Sequence, residues 1–250
     1  MSKTTDRARE MYGEFQYGNF SYGRDREQYY PLLFDAVRRY EPGNQLFDIG
    51  CGAGFWTTAY LEQGVHKQDI HMVDLSNQCV AQILERGFNA MVGDVTQLKI
   101  DSNSSDITIC NGVIHHTDDP FQAFSELVRI TRPGGTIYLS VYNKYHPYFY
   151  LVHRAAAPIR YLYWNVSRSV FYVAFPPAAA LLQLAYLAKT RRPVDLPTLK
   201  AKFMDEVMTP KAALFTKNDI QKYAEACGAE VETFEFFTGY TMIQALITVR

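Results

Sequence analysis

The sequence predicts an α/β protein: a mostly parallel, seven-stranded sheet with helices between its strands, a C-terminal antiparallel hairpin and a helical insertion. Three observations predict it. Across residues 41–141, short apolar runs alternate with amphipathic stretches, the pattern of successive β–α units whose strands lie parallel. Residues 229–237 and 241–249 are strand-like runs with no helix between them, which reads as a hairpin. Residues 142–212 break the alternation and are helical in tone, punctuated by Pro158, Pro176, Pro177, Pro193 and Pro197.

Residues 1–29 precede the fold. Their aromatics alternate with turn formers, and Gly13, Gly18 and Gly23 suit either a mobile loop with aromatic anchors or a packed tail. Residues 30–40 read as an amphipathic helix entering the sheet domain. The first strand, Leu46-Phe47-Asp48-Ile49, runs into Gly50-Cys51-Gly52-Ala53-Gly54, and a helix follows over 55–63. A second strand over 69–73 ends at Asp74 and precedes a helix over 77–86. A third over 90–92 leads into Gly93-Asp94-Val95, and a fourth over 107–110 into Asn111-Gly112-Val113-Ile114-His115-His116. Asp118-Asp119-Pro120 places an acid at a helix N-cap and proline in its first turn, which starts a helix over 120–130. Arg132-Pro133-Gly134-Gly135 is a turn before a fifth strand over 136–141. Residues 170–188 are nearly all apolar, yet Pro176-Pro177 and Gln183 interrupt them; a span wants about 20 continuous apolar residues, so a buried cap helix or a dimer interface is expected, and membrane contact is not. Thr216-Lys217-Asn218-Asp219 signals the N-terminus of a last helix ending near Gly228.

The stretch from Asp48 to Gly54 carries the chemistry. Its spacing, Gly50-x-Gly52-x-Gly54, differs from the G-x-G-x-x-G that seats a pyrophosphate at a helix N-terminus. An acid just before the first glycine would repel a phosphate but can hold an ammonium group. The pattern therefore points to a nucleoside with a cationic tail, and S-adenosylmethionine is the candidate. Asp74 follows Gly50 by 24 residues, close to the separation of about 20 expected for an acid gripping ribose hydroxyls, and a carboxylate accepts two charge-assisted bonds from a cis-diol.

With these motifs in order, residues 30–141 resemble the class I, Rossmann-like S-adenosylmethionine-dependent methyltransferases. The resemblance implies that Asp48, Gly50, Gly52 and Gly54 cradle the cofactor. It implies that Asp74 with the adjacent Leu75 holds the ribose, and that Asp94 and the backbone of Val95 meet the adenine. By the same resemblance Asn111 and Gly112 pass beneath the methionine part. It further implies an N-terminal lid over 1–29, a substrate-binding cap over 142–212 and completion of the core by 213–250.

Methyl transfer from a sulfonium needs alignment, exclusion of water and sometimes a base. His115, His116 and His146 are candidate bases; His115 and His116 follow the fourth strand, so that at least one can face the pocket, the other reading being that the pair only packs or hydrogen-bonds within a loop. Tyr142 and Asn143 leave the fifth strand beside the expected methyl position and are the leading substrate-side residues. Tyr17, Tyr22, Tyr145, Tyr163 and Tyr172 are candidate walls around the sulfonium, since aromatic faces attract cations. No metal site is expected: adjacent histidines point in different directions, and the four cysteines are scattered. A net charge of −1 leaves no electrostatic footprint for nucleic acid. The N-terminus shows no apolar signal segment, which fits a cytoplasmic protein. The expected activity is methylation of an apolar small molecule, with a homodimer through the cap as a candidate assembly. Two other uses of the same fold stay open: cyclisation of the cofactor itself to azetidine-2-carboxylic acid and methylthioadenosine, and a non-catalytic binding scaffold.

Overall fold

The structure is a computed structural model that describes residues 3–14, 26–191, 193–237 and 241–250. Strands β1 (Leu46–Ile49), β2 (Ile70–Asp74), β3 (Asn89–Val92), β4 (Ser105–Asn111), β5 (Thr131–Tyr142), β6 (Ala229–Phe236) and β7 (Met242–Val249) form one sheet in the order β3-β2-β1-β4-β5-β7-β6. Strands β1 to β5 pair in parallel, while β7 runs antiparallel to both β5 and β6. The strand order reverses between β1 and β4, and in open α/β sheets ligands bind outside the strand C-termini at that point.

Helices cover both faces. Successive β1 side chains explain why. Leu46 joins a core with Leu33 and Ala36 of α3 (Pro31–Val37), Tyr60 of α4 (Thr57–Glu62) and Ile83 of α5 (Asn77–Glu85). Phe47 points the other way, into a core with Phe124 and Leu127 of α6 (Pro120–Ile130) and Ile220 of α11 (Lys217–Ala226). The helix starts are fixed by side chains: Asp119 accepts a bond from the Gln122 N–H, and Thr216 and Asp219 form a reciprocal capping box. Strand β5 begins earlier than expected because Thr131 already pairs with Ser105. Thr136 pairs with Ile107, so 132–135 loop out of the ladder with Gly134 at φ 76°.

Residues 1–29 are not all loop. Lys3–Glu14 is a helix, α1, and a short helix α2 (Arg26–Tyr29) follows. Tyr17 and Tyr22 lie outside the described residues. The cap comprises α7 (Pro147–Ala155), α8 (Ala157–Asn165), α9 (Val170–Thr190), α10 (Leu196–Phe203) and a π-helical turn, Met204–Met208. Met11 of α1 packs with Tyr163, Trp164, Phe203, Met204 and Met208, and Arg7 donates to the Trp164 carbonyl at 3.0 Å, so α1 is part of the cap's own core. Helix α9 continues through Pro176 and Pro177. The carbonyls that lose donors there belong to Tyr172 and Val173, both on the exposed side. Among the described residues no helix is long and apolar enough to cross a membrane.

Candidate active site

The turn after β1 is glycine-dependent. Gly50, Gly52 and Gly54 all have positive φ (76°, 55° and 78°), a conformation that costs L-residues roughly 1–2 kcal/mol. At Gly50 space is also lacking, since a Cβ there would sit 2.3 Å from Val113 Cγ2. The turn is tied to β2 by the Gly50 and Cys51 N–H groups donating to the Val73 carbonyl. Asp74 then accepts the Gly52 N–H on one oxygen and the Ser76 N–H on the other, each at 2.8 Å. Burial raises its pKa, and these backbone bonds oppose the rise. Leu75 is held through its carbonyl by Arg9 of α1 at 3.3 Å.

Asp48 differs from its expected role. Its carboxyl is 2 % exposed and accepts the Tyr60 phenol at 2.9 Å. Burial pushes its pKa up to about 7. Asp94 is more open: Thr96 bonds one oxygen through both its N–H and its hydroxyl. Beside it lies a cleft of about 430 Å³ lined by Thr5, Asp94, Gln97, Asp119 and Gln122. Val95 is buried in the core beneath. At the end of β4, Ser140 donates to the Asn111 side chain, and Gly112 turns at φ 77° with its N–H on the Ser140 carbonyl.

A buried polar cluster begins directly after Gly112. Within the turn Ile114–His116, the His115 ring is wholly buried, lies 3.9 Å from the Tyr142 ring and, among the described residues, has no hydrogen-bond partner on either nitrogen. Burial holds its pKa well below the usual imidazole value. His116 Nδ1 lies 2.9 Å from the Lys211 carbonyl, which only accepts, and 3.1 Å from the Thr209 hydroxyl; a proton on Nδ1 satisfies the carbonyl and leaves Nε2 as the basic nitrogen. That Nε2 is 3.8 Å from Asp205 Oδ1. Burial again lowers the His116 pKa, with Asp205 opposing. Asp205 takes a hydroxyl on each oxygen, Tyr12 at 3.1 Å and Tyr142 at 3.0 Å. Arg160 stands behind, donating to the Val207 carbonyl and paired with His153.

Several sequence expectations change. Tyr145 and Tyr172 are 78 % and 76 % exposed and wall no enclosed space. Tyr163 is buried inside the cap, in edge contact with Trp164 and under the Arg168 guanidinium. Asn143 is buried, with its carbonyl oxygen accepting the Tyr145 N–H. It shapes the exit from β5, whereas Tyr142 reaches the polar cluster. Tyr12 and Asp205 were missed as a pair; the only sequence signals were an aromatic-rich N-terminus and an acidic cap segment.

Residues 47–139 match the family model "Methyltransferase domain". The core is a methyltransferase domain of the class I type. Malonyl-[acyl-carrier protein] O-methyltransferase of Serratia marcescens is 33% identical over 101 residues, which are 40% of this chain and 38% of that protein. A mouse tRNA (carboxymethyluridine(34)-5-O)-methyltransferase is 34% identical over 122 residues, 47% of this chain and 17% of that protein. These matches thus span well under half of the relatives' length. Among solved structures, an S-adenosylmethionine-dependent methyltransferase from Mesorhizobium loti has a TM-score of 0.57 at 16% identity, covering 90% of this chain and all of that one (100%). Magnesium protoporphyrin IX methyltransferase from Synechocystis, with bound SAH, has 0.52 at 17%, covering 100% and 95%. These structural likenesses establish the fold. S-adenosylmethionine is the cofactor of this methyltransferase domain. The residues present fit it: the methyltransferase turn has backbone where Val113 allows no side chain, and Asp74 and Asp94 each keep lone pairs for ligand donors.

Proposed function

We propose that the chain is an S-adenosylmethionine-dependent methyltransferase acting on an apolar small molecule with one proton-bearing nucleophile. The observation that carries the reading is the Asp205–His116–Tyr142 cluster standing directly beyond Asn111 and Gly112. When bound, the cofactor supplies a methyl group already activated by the sulfonium. In this reading the 50–54 turn seats the methionine end, Asp74 and Leu75 the ribose, and Asp94 and Val95 the adenine. Asp74 is pre-aimed by two backbone amides, so no carboxylate rotation has to be frozen on binding. His116 Nε2 accepts the acceptor's proton, and Asp205 stabilises the imidazolium that results. Tyr12 and Tyr142 hold Asp205 in place. A small acceptor suits the chain better than a polynucleotide because the net charge is −1.

Asp48 favours a second reading. Its carboxyl is buried and already accepts the Tyr60 phenol, which leaves less of it for an ammonium, and cyclisation of the cofactor to azetidine-2-carboxylic acid needs an uncharged amine. One experiment separates the readings: incubate the protein with S-adenosylmethionine, alone and with a panel of hydroxyl, amine and carboxylate acceptors, and identify the products. S-adenosylhomocysteine formed only with an acceptor supports the transferase. Methylthioadenosine formed without one supports cyclisation. Tight binding with no product in any mixture overturns both.

A further inference from the structure

Helix α9 is apolar on both sides, but only one side is covered. Its inner residues Phe171 and Phe175 stack at 4.9 Å and both meet Phe203, with Ala178 and Leu182 in the same cluster. The outer face of a cap helix facing water is normally polar. Here Tyr172, Val173, Leu181 and Leu184 are 76 %, 79 %, 69 % and 64 % exposed, and Pro177 lies between them on the same side. No charged residue occurs from Val170 to Ala188. At a rise of 1.5 Å per residue the uncovered stripe is about 20 Å long, a size that marks an interaction surface.

The charges around the stripe identify what covers it. The cap segment, residues 142–212, contains ten Lys or Arg and three Asp or Glu, none of the three acids before Asp195, in a chain whose total is 25 basic and 26 acidic residues; the rest of the chain is therefore net acidic. Arg191 closes the helix and is exposed, whereas Arg168, just before it, is paired with Glu10 of α1 and lies over the Trp164 ring. An apolar face in a basic segment, ended by an exposed cation, is the pattern of a helix lying in a membrane interface. A second copy of the chain would set this basic segment against itself. A polynucleotide would gain nothing from the leucines.

We propose that the outer face of α9 rests on an anionic lipid bilayer, with the helix in the plane of the interface. Its length and hydropathy do not make it a span. The sequence alone reads this segment as a buried cap helix or a dimer interface; the exposure of Val173, Leu181 and Leu184 sets the buried reading aside.

The test is flotation of the full chain with large unilamellar vesicles of phosphatidylcholine, with and without phosphatidylglycerol. Binding is expected to the anionic vesicles, weakening as salt is raised. Leu181→Glu with Leu184→Glu should weaken it by roughly tenfold or more. Arg191→Glu should weaken it by roughly fivefold, on anionic vesicles only. All three side chains are exposed, and an unchanged melting temperature checks that the variants fold. The proposal is overturned if the parent chain does not float with anionic vesicles, or if the leucine variant floats as well as the parent. A dimer in light scattering that Leu181→Glu dissolves, without vesicle binding, also overturns it in favour of a second copy. So does capture of tRNA in place of vesicles.

Discussion

The two halves of the candidate site are built in opposite ways. At the ends of β1 and β2 the groups proposed to meet the cofactor are backbone, or side chains pinned by backbone: glycines at positive φ, and Asp74 between two amides. Over β4 and β5 the groups are side chains gathered from α1, the 114–116 turn, β5 and the π-helical turn, joined through Asp205. The glycine turn and Asp74 of the first half are in place once the sheet forms. The second exists only when the cap is seated on the core. Damage to the first should therefore abolish cofactor binding, and damage to the second should leave binding and slow turnover.

Gly50→Ala is the harshest break of the first half. The new Cβ meets Val113 at 2.3 Å in a left-handed backbone. Strain and overpacking together should cost about 2–5 kcal/mol in urea unfolding, and calorimetry should find no cofactor binding. Gly43→Ala sharpens this, because φ there is 97° but nothing lies within 4 Å of the added atom; it should cost about 1–2 kcal/mol and leave binding intact. Normal cofactor affinity in Gly50→Ala would refute the backbone-held half.

Acid separates the halves by sign. Asp48 has a folded pKa raised to about 7, so the fold keeps a proton that the unfolded chain has lost, and it gains stability as pH falls from 7 towards the ordinary carboxylate value. His115, His116 and His153 are lowered, His153 to about 4, so the unfolded chain takes up protons first and stability is lost as pH falls below about 6.5. The two trends oppose each other in the wild type. Asp48→Asn removes the stabilising one, worth up to about 4 kcal/mol, so its stability should fall more steeply between pH 7 and 4. Equal slopes in denaturant titrations of the two proteins would mean that Asp48 is ionised in the fold.

A crossed pair tests the division directly. Asp205→Asn should lower kcat about a hundredfold, roughly 2.7 kcal/mol, with cofactor affinity unchanged. Asp74→Asn should weaken cofactor binding ten- to thirtyfold, about 1.5–2 kcal/mol, through the loss of charge-assisted acceptors. Isothermal titration and steady-state kinetics on both variants suffice. If each variant loses both properties together, the halves are not separable.

The same difference decides what the sequence reveals. Strand ends, the 50–54 turn, the Asp119 cap and the Thr216–Asp219 box depend on residues a few positions apart, and local patterns carried them. The order of motifs was enough to set the sheet and the place of Asp74 and Asp94. Tyr12 and Asp205 are 193 residues apart, and nothing local couples an N-terminal tyrosine to a π-helical turn. The aromatic content of the cap was visible, but composition carries no direction: Tyr163 turns inward, while Tyr145 and Tyr172 turn to solvent. Asp48 was legible as an acid before the glycine turn that can hold an ammonium, not as a buried one already bonded to Tyr60 twelve residues on.

The smallest effects test whether aromatic character or position matters over β5. Tyr142 and Tyr145 sit three residues apart, yet Tyr142 is 5 % exposed with its hydroxyl on Asp205, and Tyr145 is 78 % exposed. Tyr142→Phe removes one oxygen and keeps the ring against His115. It leaves an Asp205 oxygen without that donor, so it should cost about 1–2 kcal/mol in turnover or stability. Tyr145→Ala removes a whole ring and should change stability, cofactor affinity and kcat by no more than about 0.5 kcal/mol. The larger chemical change is thus expected to have the smaller consequence, because the hydroxyl joins a buried carboxylate and the exposed ring joins nothing in the site. If Tyr145→Ala proves the more damaging, the substrate is held by the exposed exit of β5, and the Asp205 cluster is packing alone.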